Sequence, residues 1–165
     1  MGKRMTIRFI LNGEDMEINA EANQRLITII RENLNLTASK GGCFRGSCGV
    51  CSVIFNGALS PACLIPAFRI QGGEIITLEG FSQTVEYQDI AVGFAKAGVE
   101  SCGFCDAGKI LTAETLLEQN LRPPREEFIA AFRGIRCGCT DMENLYQGVL
   151  AAGEERRKRI YGRTA

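Results

Sequence analysis

The sequence contains no histidine, and this absence excludes several kinds of site. Serine–histidine and cysteine–histidine nucleophile pairs cannot form, and no imidazole is available as a general base or as a metal ligand. A Rieske-type iron–sulfur centre is excluded as well, because it needs two histidines on one iron. Catalytic and metal-binding chemistry must therefore come from other residue types.

Net charge and long apolar segments are also lacking. Nineteen lysines and arginines balance nineteen aspartates and glutamates, which gives no electrostatic reason to expect a nucleic acid or a membrane surface as a partner. No stretch approaches the roughly 20 apolar residues of a membrane helix. The two basic residues within positions 1–5 precede no apolar signal segment. We therefore expect a cytoplasmic protein that binds neither nucleic acid nor membrane.

The sequence contains eight cysteines. Thiols stay reduced in the cytoplasm, so a cysteine pattern there indicates metal binding or catalysis rather than disulfides. The first set follows the spacing C-x4-C-x2-C-x11-C and consists of Cys43, Cys48, Cys51 and Cys63. This spacing is typical of plant-type [2Fe-2S] ligands. Gly42, Gly46 and Gly49 let the loop fold tightly and direct amides at the sulfurs. The alternative is four buried cysteines that act only as small apolar residues.

The second set is less specific by spacing. It follows C-x2-C, 31 intervening residues and C-x-C, and consists of Cys102, Cys105, Cys137 and Cys139. A Cys₄ zinc site could use this pattern, so zinc remains an alternative. The placement of each pair before a predicted helix favours an iron–sulfur cluster, because helix N-termini stabilise anionic groups.

Hydrophobic periodicity predicts a strand-rich first part and a helical second part, with a boundary near residues 79–86. Asn12-Gly13 predicts a tight hairpin turn. The predicted strands are residues 6–11, 14–19, 51–55, 63–66 and 74–78. The predicted helices are residues 25–33, 87–97, 107–119, 126–133 and 142–161. With no histidine, and with all eight cysteines assigned as ligands, no spare nucleophile is left for catalysis on this chain.

A basic run, residues 156–159, lies at the end of the last predicted helix. Cations at this position complement the helix dipole. We therefore predict a solvated helix end, with a docking patch as the alternative.

Together the two sets resemble the iron–sulfur subunit of the molybdenum hydroxylases, the family of xanthine dehydrogenase, aldehyde oxidoreductase and aerobic carbon monoxide dehydrogenase. The matching stretches are GCFRGSCGVCSV at 42–53, NG followed by CLIP at 56–66, SCGFC at 101–105 and CGCT at 137–140. The resemblance implies an α+β chain. A plant-ferredoxin-like β-grasp domain over residues 1–80 would precede a four-helix domain over residues 84–165. Each domain would hold one [2Fe-2S] cluster.

The resemblance also implies an electron-transfer role without substrate chemistry on this chain. Electrons would leave a molybdopterin-containing large subunit, enter the cluster of the second cysteine set, pass to that of the first set, and reach FAD in a medium subunit. Two alternatives are a stand-alone ferredoxin-like carrier and a zinc-stabilised interaction module.

Three positions near the second set depart from the family pattern. Ser101 stands where the family has a glutamine that contacts the pterin, Asp106 begins Asp-Ala-Gly in place of Thr-Pro-Gly, and Gly138 lies between the last two cysteines. Serine is too short to reproduce the amide contact without a water. One interpretation is a large subunit that has adapted, and the other is a partner whose pterin centre is altered or absent.

Overall fold

The computed structural model describes residues 4–162, and its first part is built on a five-stranded mixed sheet. The strands are β1 Arg4–Leu11, β2 Glu14–Glu21, β3 Ser52–Phe55, β4 Ala58–Pro61 and β5 Glu74–Ile76. Their order across the sheet is β2-β1-β5-β3-β4. β1 and β5 are parallel, and the other neighbours are antiparallel. With the helices that follow, this confirms the α+β class.

The predicted first hairpin is confirmed. Asn12 and Gly13 form its turn with φ of 53° and 85°, the left-handed values that a two-residue hairpin turn requires. Ile7, Phe9 and Leu11 alternate with exposed residues along β1 and turn toward the core, as the period of a strand demands.

A short helical segment crosses from β2 to the first cysteine loop. Helix α1, Leu26–Thr28, continues directly as a π-helical turn, Ile29–Asn33, where Leu34 N donates to the Ile29 carbonyl at 3.1 Å. The predicted helix is confirmed, but the widened turn was not anticipated. Leu26 and Ile30 are fully buried and pack with the inner face of the sheet.

The predicted strand at residues 63–66 is wrong. The strand is β4, and it ends at Pro61, after which Ala62–Leu64 forms a 3-10 turn. Proline has no N–H with which to continue a ladder, so the pairing of β4 ends at Pro61. The predicted strand 74–78 is shortened to β5, because helix α2, Leu78–Phe81, begins directly after Thr77.

The second part contains the remaining helices, close to their predicted bounds. They are α3 Val85–Lys96, α4 Asp106–Gln119, α5 Arg125–Phe132 and α6 Met142–Tyr161. Helix α3 begins two residues early because Thr84 Oγ1 accepts from the Tyr87 amide at 3.1 Å. Asp141 caps α6 in the same way through the Asn144 amide, at 2.7 Å.

Two apolar clusters support these parts. One lies between the sheet and α1, and the other lies among the helices. Ile54 of β3 belongs to the helical cluster, whereas its neighbour Val53 belongs to the first, because successive strand residues face opposite sides. Helix α4 packs against β3 and β4, so it joins the two parts. No helix among residues 4–162 is long and apolar enough to cross a membrane.

The basic run, residues 156–159, does not form the solvated helix end that was predicted. Arg156 is only 5% exposed, and its Nη2 lies 2.5 Å from Glu114 Oε2 of α4 while its Nε lies 3.4 Å from Asp89 Oδ2 of α3. Arg159 pairs with Asp89 at 2.8 Å and with Glu86 at 3.1 Å. Burial raises the pKa of Glu114, and the Arg156 guanidinium opposes that rise. The end of α6 is therefore an ionic junction of three helices, and only Arg157 and Lys158 are exposed as predicted.

We expect Arg156→Met to destabilise the protein by about 3–5 kcal/mol, because it leaves Glu114 buried without its counter-charge and leaves Asp89 with Arg159 alone. Arg157→Met, one residue further on the exposed face, is the matched control and should change stability by less than about 0.5 kcal/mol. Urea unfolding followed by circular dichroism measures both. Equal midpoint shifts in the two variants would contradict the buried junction.

Candidate metal centres

The first three cysteines of the N-terminal set lie on one tight loop between the π-helical turn and β3. Phe44, Gly46 and Gly49 have positive φ, which coils the loop around its own sulfurs. The amides of Arg45 and Ser47 donate to Cys43 Sγ at 3.4 and 3.2 Å. A loop that directs N–H groups at sulfur favours the thiolate, the form that binds a metal.

These hydrogen-bond donors make the Cys43 thiol more acidic. Hydrogen bonds from Ser47 and then from the Arg45 amide lower the pKa of the Cys43 thiol to about 5. Cys43 also hydrogen-bonds Cys48, whose Sγ accepts from the Cys43 amide at 3.4 Å. Cys43 and Cys48 therefore form one close pair of sulfurs.

Cys63 is delivered from the other side by the 3-10 turn after β4. The Ala62 amide donates to the Cys51 carbonyl at 3.1 Å, and the Cys51 and Cys63 thiols hydrogen-bond each other. Both residues are buried, and burial raises the pKa of the Cys51 thiol to about 12. The structure thus brings together all four predicted residues as two pairs, one near the surface and one buried.

The second set comes from two loops that meet across α4. Cys102 and Cys105 precede α4, and Cys137 and Cys139 lie between α5 and α6. Cys102 hydrogen-bonds Cys139, and Cys105 hydrogen-bonds Cys137, so each pair joins the two loops. The Phe104 amide and then Cys139 lower the pKa of Cys102, whereas burial and then Cys137 raise the pKa of Cys105 to about 12.

The helix N-termini contribute less evenly than expected. Cys105 is itself the N-cap residue of α4, so this set does lie at a helix start. At α6 the Asp141 carboxylate accepts a hydrogen bond from the first-turn amide of Asn144. This carboxylate therefore already complements the positive end of the α6 dipole. The predicted facing pair of helix ends therefore holds for α4 alone.

The pairing of the sulfurs matches a binuclear cluster. The thiols of each set form two close pairs. A [2Fe-2S] cluster is held by four cysteine thiolates, two on each of its irons. Two pairs in each set fit this group, which would supply a site for one electron.

The two cysteine loops touch through glycines. A Cβ on Gly108 of α4 would lie 2.6 Å from the Gly49 carbonyl oxygen, and a Cβ on Gly49 would lie 2.3 Å from Ile135 Cδ1. Gly49 belongs to the first set's loop, Gly108 follows Cys105 by three residues, and Ile135 precedes Cys137 by two. The absence of side chains at the glycines thus lets the two sets approach closely.

Two of the family departures prove to be hydrogen-bond partners. Ser101 Oγ donates to Asp106 Oδ2, which also accepts from the Gly103 amide at 3.0 Å. The serine that replaces glutamine is thus engaged by the aspartate that replaces threonine. A Cβ on Gly138 would meet nothing within 4 Å, so the fold places no steric demand for glycine there.

Sequence reasoning missed Lys109. Its side chain is 1% exposed, and its Nζ lies 3.3 Å from Asp106 Oδ1 and 2.6 Å from the Glu100 carbonyl oxygen. A lysine three residues after an aspartate, at the start of a helix with an apolar face, was the available signal.

Comparisons with known proteins agree with this geometry. Residues 9–72 match the model of the 2Fe-2S iron-sulfur cluster binding domain, and residues 77–150 match that of the [2Fe-2S] binding domain. Because the second family binds a [2Fe-2S] cluster, zinc is no longer an alternative for the C-terminal cysteine set.

Relatives and solved structures cover nearly the whole chain. The nicotinate dehydrogenase small FeS subunit of Eubacterium barkeri is 40% identical over 92% of this chain and 96% of its own. The nicotine 6-hydroxylase small subunit of Paenarthrobacter nicotinovorans is 34% identical over 90% of each chain. Quinoline 2-oxidoreductase from Pseudomonas putida 86 superposes with a TM-score of 0.85 at 33% identity, over 93% of this chain and 97% of that one. This chain therefore belongs to the iron–sulfur subunits of the molybdenum hydroxylases, and it is an electron-transfer subunit with two [2Fe-2S] clusters in a multi-subunit oxidoreductase.

Proposed function

We propose that this chain relays electrons from a molybdopterin-containing large subunit to a FAD-containing medium subunit. The observation that carries the proposal is the contact of the two cysteine loops at Gly49, Gly108 and Ile135. A stand-alone carrier with a purely structural second site has no need for van der Waals contact between the chain segments that carry its two cysteine sets. A relay does, because it must move electrons between them.

The ligands we propose are the eight cysteines in their observed pairs. Cys43 with Cys48 and Cys51 with Cys63 would each hold one iron of the first cluster. Cys102 with Cys139 and Cys105 with Cys137 would do the same in the second. Binding displaces a proton from the buried thiols, whose pKa burial raises.

The domain division that we propose follows residues 1–80 and 84–165. The strand order β2-β1-β5-β3-β4 with one crossing helix supports a β-grasp domain, and helices α3 to α6 support a four-helix domain. Residues 1–3 and 163–165, at the outer ends of the two units, lie outside the described part of the chain.

Exposed apolar side chains beside each cysteine set support two docking faces. Phe44 and Leu64 lie exposed directly after Cys43 and Cys63, and Phe68 lies exposed on the 3-10 turn that follows. Phe104 lies exposed between Cys102 and Cys105, and Met142 lies exposed at the start of α6, three residues after Cys139. Aromatic residues and methionine are enriched in interfaces. We assign the medium subunit to the first face and the large subunit to the second.

The ligand assignment predicts about four irons and four sulfides per chain, half of each in either set. Cys63→Ala should abolish the cluster of the first set and leave the other, while Cys137→Ala should do the reverse. Iron and sulfide analysis together with electron paramagnetic resonance (EPR) of the anaerobically purified protein measures both, and each variant is the control for the other. A variant that keeps its full iron content would refute the assignment at that position.

The relay predicts that Gly108→Ala slows electron transfer between the clusters without removing either. The new Cβ would meet the Gly49 carbonyl at 2.6 Å, so the loop carrying Cys48 and Cys51 must move away from α4. Gly138→Ala is the matched control, because a Cβ there meets nothing within 4 Å. Rapid-freeze EPR after partial reduction reports the exchange, and an unchanged rate in Gly108→Ala would count against this contact as the route.

The docking faces predict which partner is lost from the complex purified from its native host. Met142→Asp should release the molybdenum-containing chain, and Phe68→Asp the flavin-containing chain. Val85→Asp, equally exposed at the start of α3, is the control. Molybdenum and flavin analysis of the tagged complex measures which partner is lost. Recovery of the wild-type chain without either partner would favour a free carrier.

Nitrogen heteroaromatics are the first compounds to assay with this complex, because relatives are named for nicotinate, nicotine and quinoline.

A further inference from the structure

Lys109 is a buried cation beside the second cysteine set. It lies on α4, one turn after Cys105, and its side chain is among the largest that are fully buried. A buried ammonium is costly unless it is paired and hydrogen-bonded. Its partners are the Asp106 carboxylate at 3.3 Å and the Glu100 carbonyl oxygen at 2.6 Å. Glu100 belongs to the loop that carries Cys102 and Cys105, and Asp106 is the first residue of α4, directly after Cys105.

These contacts extend to both loops of the set. The Glu100 carbonyl accepts a second hydrogen bond from Thr140 Oγ1, at 3.0 Å, and Thr140 directly follows Cys139. Asp106 directly follows Cys105 and binds Ser101 and the Gly103 amide on either side of Cys102. One ammonium and one carboxylate thus sit at the point where the chain segments flanking the cysteines meet.

The two charges act on the sulfurs in opposite directions. Lys109 lies one turn after Cys105 on α4, and its positive charge stabilises negative charge that gathers on the sulfurs of the second set. Asp106 directly follows Cys105 and accepts from the Gly103 amide beside Cys102, so its negative charge opposes negative charge on these sulfurs. Water is excluded from Lys109, so its field is screened less than that of a surface lysine.

We propose that Lys109 and Asp106 set the reduction potential of the second cluster, Lys109 raising it and Asp106 lowering it. This inference rests on the proposed function, because it requires the second cysteine set to hold a cluster. Reduction adds one electron to the site, supplied by the large subunit or by dithionite in the test, and breaks no bond. The added negative charge is stabilised by a fixed cation and destabilised by a fixed anion. Lys109 acts on the cluster through space and touches no substrate, so it is not a catalytic residue.

The test is an EPR-monitored redox titration of the full chain with both clusters. Lys109→Met removes the cation at similar length and should shift the equilibrium of one electron between the two clusters about tenfold toward the first cluster, or about 59 mV. Asp106→Asn removes the anion and should shift the equilibrium in the opposite direction. The first cluster's potential should stay unchanged in both. Lys96→Met, an exposed lysine paired with Glu155 on the surface, is the control and should move neither potential.

Opposite shifts separate charge from structure, since a loosened loop would not reverse its effect with the sign of the charge removed. Shifts in the same direction, or none, would overturn the inference. If Lys109→Met loses the second cluster, Asp106→Asn decides: a raised potential supports the inference and an unchanged one rejects it. Cys137→Ala separates the two levels of the argument. Retention of both EPR signals there defeats the ligand assignment, whereas loss of one signal together with unmoved potentials in the charge variants defeats this inference alone.

Discussion

The close contact between the two cysteine loops is the constraint on which the rest of the structure depends. Gly49 presents its carbonyl oxygen to Gly108, and Ile135 fills the space above Gly49 where any side chain would otherwise stand. Backbone against backbone is the shortest approach two segments can make, and only glycine allows it. The loop before β3, the start of α4 and the segment after α5 are therefore tied to one another. The proposed relay between the two sets depends on this arrangement, since each of these segments carries at least two of the proposed ligands.

Helix α4 lies at the centre of the molecule and carries buried charge along its length. Asp106 and Lys109 pair at its start, and Glu114 meets Arg156 of α6 further along. Such pairs rarely add much stability over apolar residues, because desolvation offsets their attraction. They do penalise any other rotation of the helix, which would leave a charge buried alone. We interpret them as the features that hold α4 in one orientation, with Cys105 directed at Cys137 and Gly108 at Gly49.

The departures from the family pattern form a local system. Ser101 and Asp106 are hydrogen-bonded to each other, and Asp106 is paired with Lys109, so the three act as one polar group around the second set. In the proposed complex, a large subunit that docks here would meet a serine hydroxyl already engaged by Asp106 and a carboxylate held by Lys109. The four pairs of sulfurs are intact beside this changed face.

Local sequence determined the cysteine spacing, the Asn12-Gly13 turn and the bounds of most helices, because each depends on residues close together in the chain. The first cysteine set could be identified by spacing alone, and the resemblance of the motifs named the family. Tertiary structure alone decided the rest. It placed Cys63 on a 3-10 turn after Pro61, paired Cys102 with Cys139 across 36 intervening residues, buried Arg156 in a run that looked solvated, and put Lys109 beside the sulfurs. These features depend on which distant segments meet. Arg156 carries no local mark of its burial, because its counter-charges Glu114 and Asp89 lie 42 and 67 residues away in the sequence.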